Sequence, residues 1–155
     1  LYKLTLAEAK QLLDIAERKA RQMGLSFNIT IVDEGGNLLA FQRMDNAKIA
    51  GIDISAGKAW TSVAMQMPTA NLAQSAQPGG PTFGINTTNQ GRLVILGGGI
   101  PLVREGRIVG GIGVSGGTSA QDIEVASAAV EAFERGAGGP HANARIGSLR
   151  HTFPY

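Results

Sequence analysis

Between Leu6 and Ala20, apolar residues fall at Leu6, Ala9, Leu12, Leu13, Ala16 and Ala20. That three-and-four spacing is one face of a helix. Thr5-Leu-Ala-Glu8 ahead of it is a capping box, and Gly24 stands where a helix C-cap belongs. The period then changes to two. In "SFNITIV", Phe27, Ile29 and Ile31 share a face; Asp33-Glu-Gly-Gly-Asn37 supplies turn chemistry, and "LLAFQRM" continues beyond it. The pattern predicts a hairpin. A helical period returns from Ile49 to Met67, with apolar residues at Ile49, Ile52, Ala56, Ala59, Trp60, Val63 and Met67. This predicts a second amphipathic helix, closed by Pro68-Thr69, with a short third helix over "ANLAQSA".

"QPGGPTFGINTTNQG" has no period and reads as a long loop, and loops of that length in compact domains are often functional. "RLVILGGGIPLVREGRIVGGIGVSGG" then holds two or three strands, "RLVIL" among them, with Arg104-Glu-Gly-Arg107 as a hairpin turn. Thr118 or Ser119 caps a last helix whose buried face is Ile123, Ala126, Ala129, Val130 and Phe133. Gly136 to Pro140 breaks the chain. Hairpins rather than crossover helices join the strands. The expected fold is an α+β sandwich, a central antiparallel sheet of about five strands with helices packed on it. It forms one domain, 1–135, followed by a C-terminal extension, 136–155.

The 155 residues are enough for one domain with a core, and 43% are hydrophobic. There is no cysteine, which removes disulfides, thiolate metal sites and cysteine nucleophiles. With no basic-then-apolar leader and no apolar run long enough for a bilayer, the expectation is a cytoplasmic protein with no membrane partner. The net charge of +2 does not make a nucleic-acid footprint. Residues 1–135 carry 12 basic and 12 acidic side chains, and the excess is Arg145 and Arg150 in the extension. The two histidines, His141 and His151, also lie there, ten residues apart, so no metal-ligand spacing exists.

The densest glycine pattern is "GGIGVSGGTSAQDIEVA", Gly110 to Ala126. Gly111, Gly113 and Gly116 fit G-x-G-x-x-G. The dinucleotide motif, however, needs its first glycine after a strand and a second strand beyond the helix. Gly111 lies inside the strand, and the helix is the last element. Gly113, Ser115 and Gly117 fit the nucleophile elbow G-x-S-x-G, with Asp122 and the two tail histidines nominally in order. A simpler reading is a strand thinned by glycine for the close approach of a helix, a subunit or a flat ligand. It feeds a helix N-terminus that favours an anion. Gly97-Gly-Gly99-Ile-Pro101 is either an irregular connection or the opposite wall of a pocket. Arg43 and Asp45 read as a local surface pair or as ligand contacts. Asp53 and Lys58, five apart on the second helix, face somewhat different ways; Lys58 beside a glycine-lined cleft would pair with a carboxylate.

Four segments then occur in order: "IVDEGGNLLAFQRMDNA", "IDISAGKAWTSVAM", "GGGIPLV" and "GRIVGGIGVSGGTSAQDIEVASAAV". Together they resemble the GlcG/HbpS family, the haem-degrading or DUF336 domains, from about Leu6 to Phe133. The resemblance implies a profilin-like sandwich, homo-oligomers of two or more chains, and binding of haem, corrinoids or small organic acids. Matching positions are Asp33, Gly36, Arg43, Met44, Asp45, Asp53, Lys58, Gly97 to Gly99, Pro101, Gly113, Ser115 to Gly117 and Asp122. The chain departs from the family in two ways. It has no histidine in the domain to ligate haem, and it carries the extension, which reads as an arm onto a neighbouring subunit.

Three functions remain open on the sequence. The first is a small-molecule-binding oligomeric accessory protein, its ligand an organic acid, haem or corrinoid. The ligand would contact Arg43, Asp45, Lys58, Gly97, Gly98, Gly99, Pro101, Ser115, Gly116, Gly117 and Asp122. The second is an enzyme on a small organic acid or aromatic catabolite, with Lys58, Ser115 or Asp122 as acid or base. The third is a structural oligomeriser supporting a neighbouring enzyme.

Overall fold

The computed structural model describes residues 3–136. The elements are α1 (Leu6–Gln22), β1 (Asn28–Asp33), β2 (Leu38–Arg43), α2 (Ala50–Ala64), α3 (Thr69–Ser75), β3 (Gly99–Arg104), β4 (Arg107–Ser115) and α4 (Ser119–Glu134). The sheet order is β2-β1-β4-β3, with every neighbouring pair antiparallel. This is the α+β sandwich expected of the pattern.

Local chemistry sets the element ends. Thr5 and Glu8 make the reciprocal capping box of α1. At its other end Gly24 takes φ +71°, Leu25 N–H reaches Ala20 O, and Gly24 N–H reaches Arg21 O. These bonds are a Schellman stop. The Asp33 carboxylate accepts from Gly35 and Asn37 N–H, both at 2.9 Å, and shapes the β1–β2 turn. Glu105 and Gly106 both have positive φ in the β3–β4 turn, the two-residue hairpin geometry.

The strands β1, β3 and β4 alternate between two different interiors. Ile29, Ile31, Ile112, Val114 and Leu102 join Leu12, Leu13, Ala16, Val125, Ala129 and Phe133 in one apolar cluster under α1 and α4. Leu6, assigned to that face from its spacing, is 51% exposed. Ile123 is half-buried and packs toward Gly97 instead.

The opposite sheet face is covered by α2, and here the expectation inverts. An amphipathic helix ordinarily buries its apolar stripe. α2 buries Gly51, Ser55, Lys58, Ala59, Thr61 and Ser62, while Ile49 is 76% and Ile52 37% exposed. The reason lies in β4. A Cβ at Gly111 or Gly113 would collide with Ser62, Ala59 and the Ser55 carbonyl, so the glycines let the helix backbone settle on the strand. Thr30 and Ser55 hydroxyls meet at 2.8 Å across the same contact, which satisfies both in a dry setting. Of the three things the glycine strand could admit, a packed helix is the one observed.

The sheet has four strands, not about five. Leu93–Ile95 lies in neither helix nor strand and pairs with no strand, between a turn at Arg92 and a bend at Leu96. α2 takes its polar groups instead: Val94 N–H donates to Thr61 Oγ1 at 2.9 Å, Val94 packs against Gly57, and the Arg92 guanidinium lies 4.0 Å from the centre of the Trp60 ring. The second helix is also shorter than the 49–67 span of its pattern, ending at Ala64.

Candidate functional site

Three elements end at one place: the N-terminus of α2, the C-terminal end of β4 and the N-terminus of α4. Between them lies a cleft of about 260 Å³ lined by Lys48, Ala50, Gly51, Ile54, Lys58, Leu96, Ser115, Gly116, Gly117, Ser119 and Asp122. Its foot is an ion pair. Lys58 Nζ stands 2.8 Å from Asp122 Oδ2 and donates to Val114 O at 2.9 Å, and the two side chains are 1% and 5% exposed. Asp122 Oδ1 accepts from Gly117 N–H at 2.8 Å. One carboxylate thus ties α2, β4 and the start of α4 together. Burial pushes the Lys58 ammonium below the ordinary lysine range, and the hydrogen bond and charge of Asp122 oppose that push.

The glycines around this pair are not spare volume. Gly98 has φ +126°, and a Cβ there would lie 3.0 Å from both Lys58 Nζ and Asp122 Cβ. Gly99 would strike the Lys58 carbonyl. Gly98 and Gly99 therefore back the ion pair, Gly97 faces Ile123 and Ala70, and all three are absent from the cleft lining, as is Pro101. Arg43 and Asp45 are absent too: Arg43 at the end of β2 and Asp45 beyond it are both exposed, and Arg43 reaches the Ala47 carbonyl at 3.5 Å. The cleft gathers five of the residues singled out in the sequence: Lys58, Ser115, Gly116, Gly117 and Asp122.

Two helix N-termini face the cleft, those of α2 and α4. At α4 the capping box and Asp122 answer the amides around the cap. Gly117 N–H goes to Asp122, Thr118 N–H to Gln121 Oε1, and Gln121 N–H to Thr118 Oγ1. At α2 the N-cap is Ile49, which makes no side-chain cap. There Gly51 N–H donates to Lys48 O at 3.0 Å and Ile52 N–H to Ile49 O at 3.1 Å, and the positive end of the helix faces the cleft beside Lys48. Behind Gly51, Asn28 is fully buried. Its Nδ2 donates to Lys48 O at 2.8 Å, and its Oδ1 is the buried side-chain polar atom without a partner among the described residues.

Lys48, Gly51, Ile54, Leu96 and Ser119 carried no signal in the sequence on their own. The usable signal was joint: small or polar residues at helical spacing on α2 (Ser55, Lys58, Ser62) facing polar and glycine positions of alternate strand residues (Asn28, Thr30, Gly111, Gly113). Neither elbow histidine can be placed beside Ser115, because His141, His151 and the rest of the proposed arm beyond Gly136 lie outside the described residues. Among the described residues no group of three His, Asp or Glu could hold a metal ion, and no helix is long and apolar enough to cross a membrane.

A four-stranded antiparallel sheet, with two helices on one face and a glycine-seated helix on the other, defines an α+β sandwich with a cleft at one end. A family model described as "Haem degrading protein HbpS-like" matches residues 4–131, and the chain belongs to that family. It is 41% identical over 130 residues to a 15.0 kDa protein from the dhaT-dhaS intergenic region of Citrobacter freundii, covering 84% of this chain and 92% of that one. It is 37% identical over 130 residues to the corrinoid adenosyltransferase PduO of Citrobacter freundii, covering 84% of this chain but 39% of PduO. The crystal structure of a PduOC:haem complex superposes with a TM-score of 0.80 at 35% identity, covering 83% of this chain and 93% of that one.

Proposed function

We propose that the chain is a small-molecule-binding, oligomeric accessory protein whose ligand is a small organic anion held in the cleft between α2 and α4. The observation that carries this is the composition of the cleft. Lys48 at its rim and Lys58 at its foot outnumber the single carboxylate, Asp122, and the dipole of α2, whose N-terminus has no side-chain cap, adds positive potential. Ser115 and Ser119 supply hydroxyls. A volume of about 260 Å³ suits a small acid, since drug-sized ligands occupy pockets of about 300–1,000 Å³.

A tetrapyrrole is the second reading, and what favours it is the haem in the PduOC structure and the corrinoid in the name of PduO. The cleft residues fit it poorly. None of them is a histidine or a thiolate, and the Lys58 amine is engaged by Asp122 and Val114. An acid–base role for Lys58, Ser115 or Asp122 rests on the same cleft and needs no different geometry.

Calorimetric titration tests the reading. Two- to four-carbon carboxylates, haem and cobalamin are added in turn to the full chain and to Lys48→Glu. The proposal expects a carboxylate to bind the wild type and to lose at least tenfold in affinity on charge reversal. Silence from every carboxylate, or binding indifferent to Lys48→Glu, overturns it.

A further inference from the structure

We propose that the outward face of α2 is an isologous interface that takes a second copy of this chain, with Asp53 of each copy against Arg92 of the other. This deepens the oligomeric half of the reading above by naming the face, and it does not depend on what the cleft binds.

The argument starts from the inversion of α2. Ala59 and Val63 pack toward the sheet, but its other apolar positions are turned away, which places Ile49 and Ile52 in solvent at the head of the helix and leaves Ala56 and Trp60 half-exposed below them. A solvated helix face would carry charge at those positions. Beside this stripe runs a groove of about 380 Å³ between α2 and the segment Gly91–Val94, lined by Asp53, Ile54, Ala56, Gly57, Arg92 and Val94. A ridge beside a groove is the shape that two copies of one helix can fill reciprocally.

The charges select the occupant. Asp53 and Arg92 both line the groove, both are exposed, and neither has an ion-pair partner among the described residues. The Arg92 guanidinium is held in place by its stack on Trp60. One fixed cation and one anion on the same patch are self-complementary about a twofold axis, where residue i meets j and j meets i. A partner of a single charge sign would satisfy one and repel the other. The apolar stripe supplies the buried centre and the two ion pairs the rim.

The test is the mass of the full chain by light scattering on a sizing column at micromolar concentration. The wild type is expected at twice the 16.1 kDa chain mass or a higher multiple. Ile52→Lys should lower that mass at least twofold with an unchanged circular dichroism spectrum. Asp53→Arg and Arg92→Asp should each lower it, and the two together should restore it. A monomeric wild type, or an Ile52→Lys variant of unchanged mass, overturns the interface. Single reversals that dissociate the protein without rescue in the double variant overturn the Asp53–Arg92 pairing. Carboxylate titration of the same samples separates the two proposals. A monomer that binds keeps the cleft and loses the interface, whereas an oligomer that binds nothing does the opposite.

Discussion

At the scale of single residues, the Lys58–Asp122 pair is the most consequential feature of the molecule. Two charges out of water are tolerated because each has a second polar partner, Val114 O for the ammonium and Gly117 N–H for the carboxylate. Removing one partner strands the other. Lys58→Met and Asp122→Leu are each expected to lower unfolding free energy by about 3–5 kcal/mol in chemical denaturation. The double variant should cost less than the sum of the two, since neither charge is then stranded. Additive costs would mean the pair is not coupled as the geometry requires.

Asp33 offers a separate test with a definite sign. Although burial pushes it upward, the Asn37 and Gly35 amides hold its carboxyl below the usual carboxylate range, with help from the Asn37 side chain and Lys3. A carboxylate with a depressed folded value stabilises the fold above its unfolded value and loses that contribution as pH falls through the folded one. Wild type should therefore exceed Asp33→Asn by about 1 kcal/mol at neutral pH. That gap should close on acidification below the ordinary carboxylate range, as followed by urea melts at a series of pH values. A gap that persists in acid would show the difference to be packing rather than charge.

At the scale of elements, α1, α4 and the two hairpins were legible because their apolar periods and caps agree with the burial they achieve. α2 was legible as a helix but not in orientation. Its period is carried by Ile49, Ile52, Ala56, Ala59, Trp60, Val63 and Met67, and hydrophobicity alone sends all of them inward, yet Ala59 is buried while Ile49 and Ile52 are exposed. What overrides it is volume: β4 offers Gly111 and Gly113, and only a face of Ser55, Ala59 and Ser62 lies close enough to fill that shallow strand. "RLVIL" misled for a related reason. It has strand composition, but α2 satisfies its backbone through Thr61.

The seating of α2 makes its own prediction. In Gly113→Ala the new methyl overlaps the Ser55 carbonyl, so the helix must lift, at a cost of about 2–3 kcal/mol. Gly79→Ala faces open space at φ +84° and should cost only about 1 kcal/mol of backbone strain. Equal midpoints for the two variants in thermal melts would contradict the close helix–strand contact.

At the scale of the whole molecule, the family was legible from ordered segments, and the family model over residues 4–131 bears that out. The candidate cleft was legible in part. Ser115 to Gly117, Lys58 and Asp122 announced themselves through glycine spacing and charge. Lys48, Gly51, Leu96 and Ser119 did not, because they belong to different elements and meet only once α2 sits on β4. Arg43, Asp45 and Pro101 matched the family pattern equally well, yet they stand away from the cleft. A shared pattern marks fold and function alike and does not separate them.

The central claim is that a small carboxylate occupies the cleft at the N-terminus of α2. An amide-resolved nuclear magnetic resonance titration of the full chain with two- to four-carbon carboxylates tests it most directly. The account predicts saturable shifts concentrated at Gly51, Ser115, Gly117 and Ser119, and their loss in Lys48→Glu. Shifts scattered over the surface, gathered around Arg43 and Asp45, or absent for every acid would contradict it.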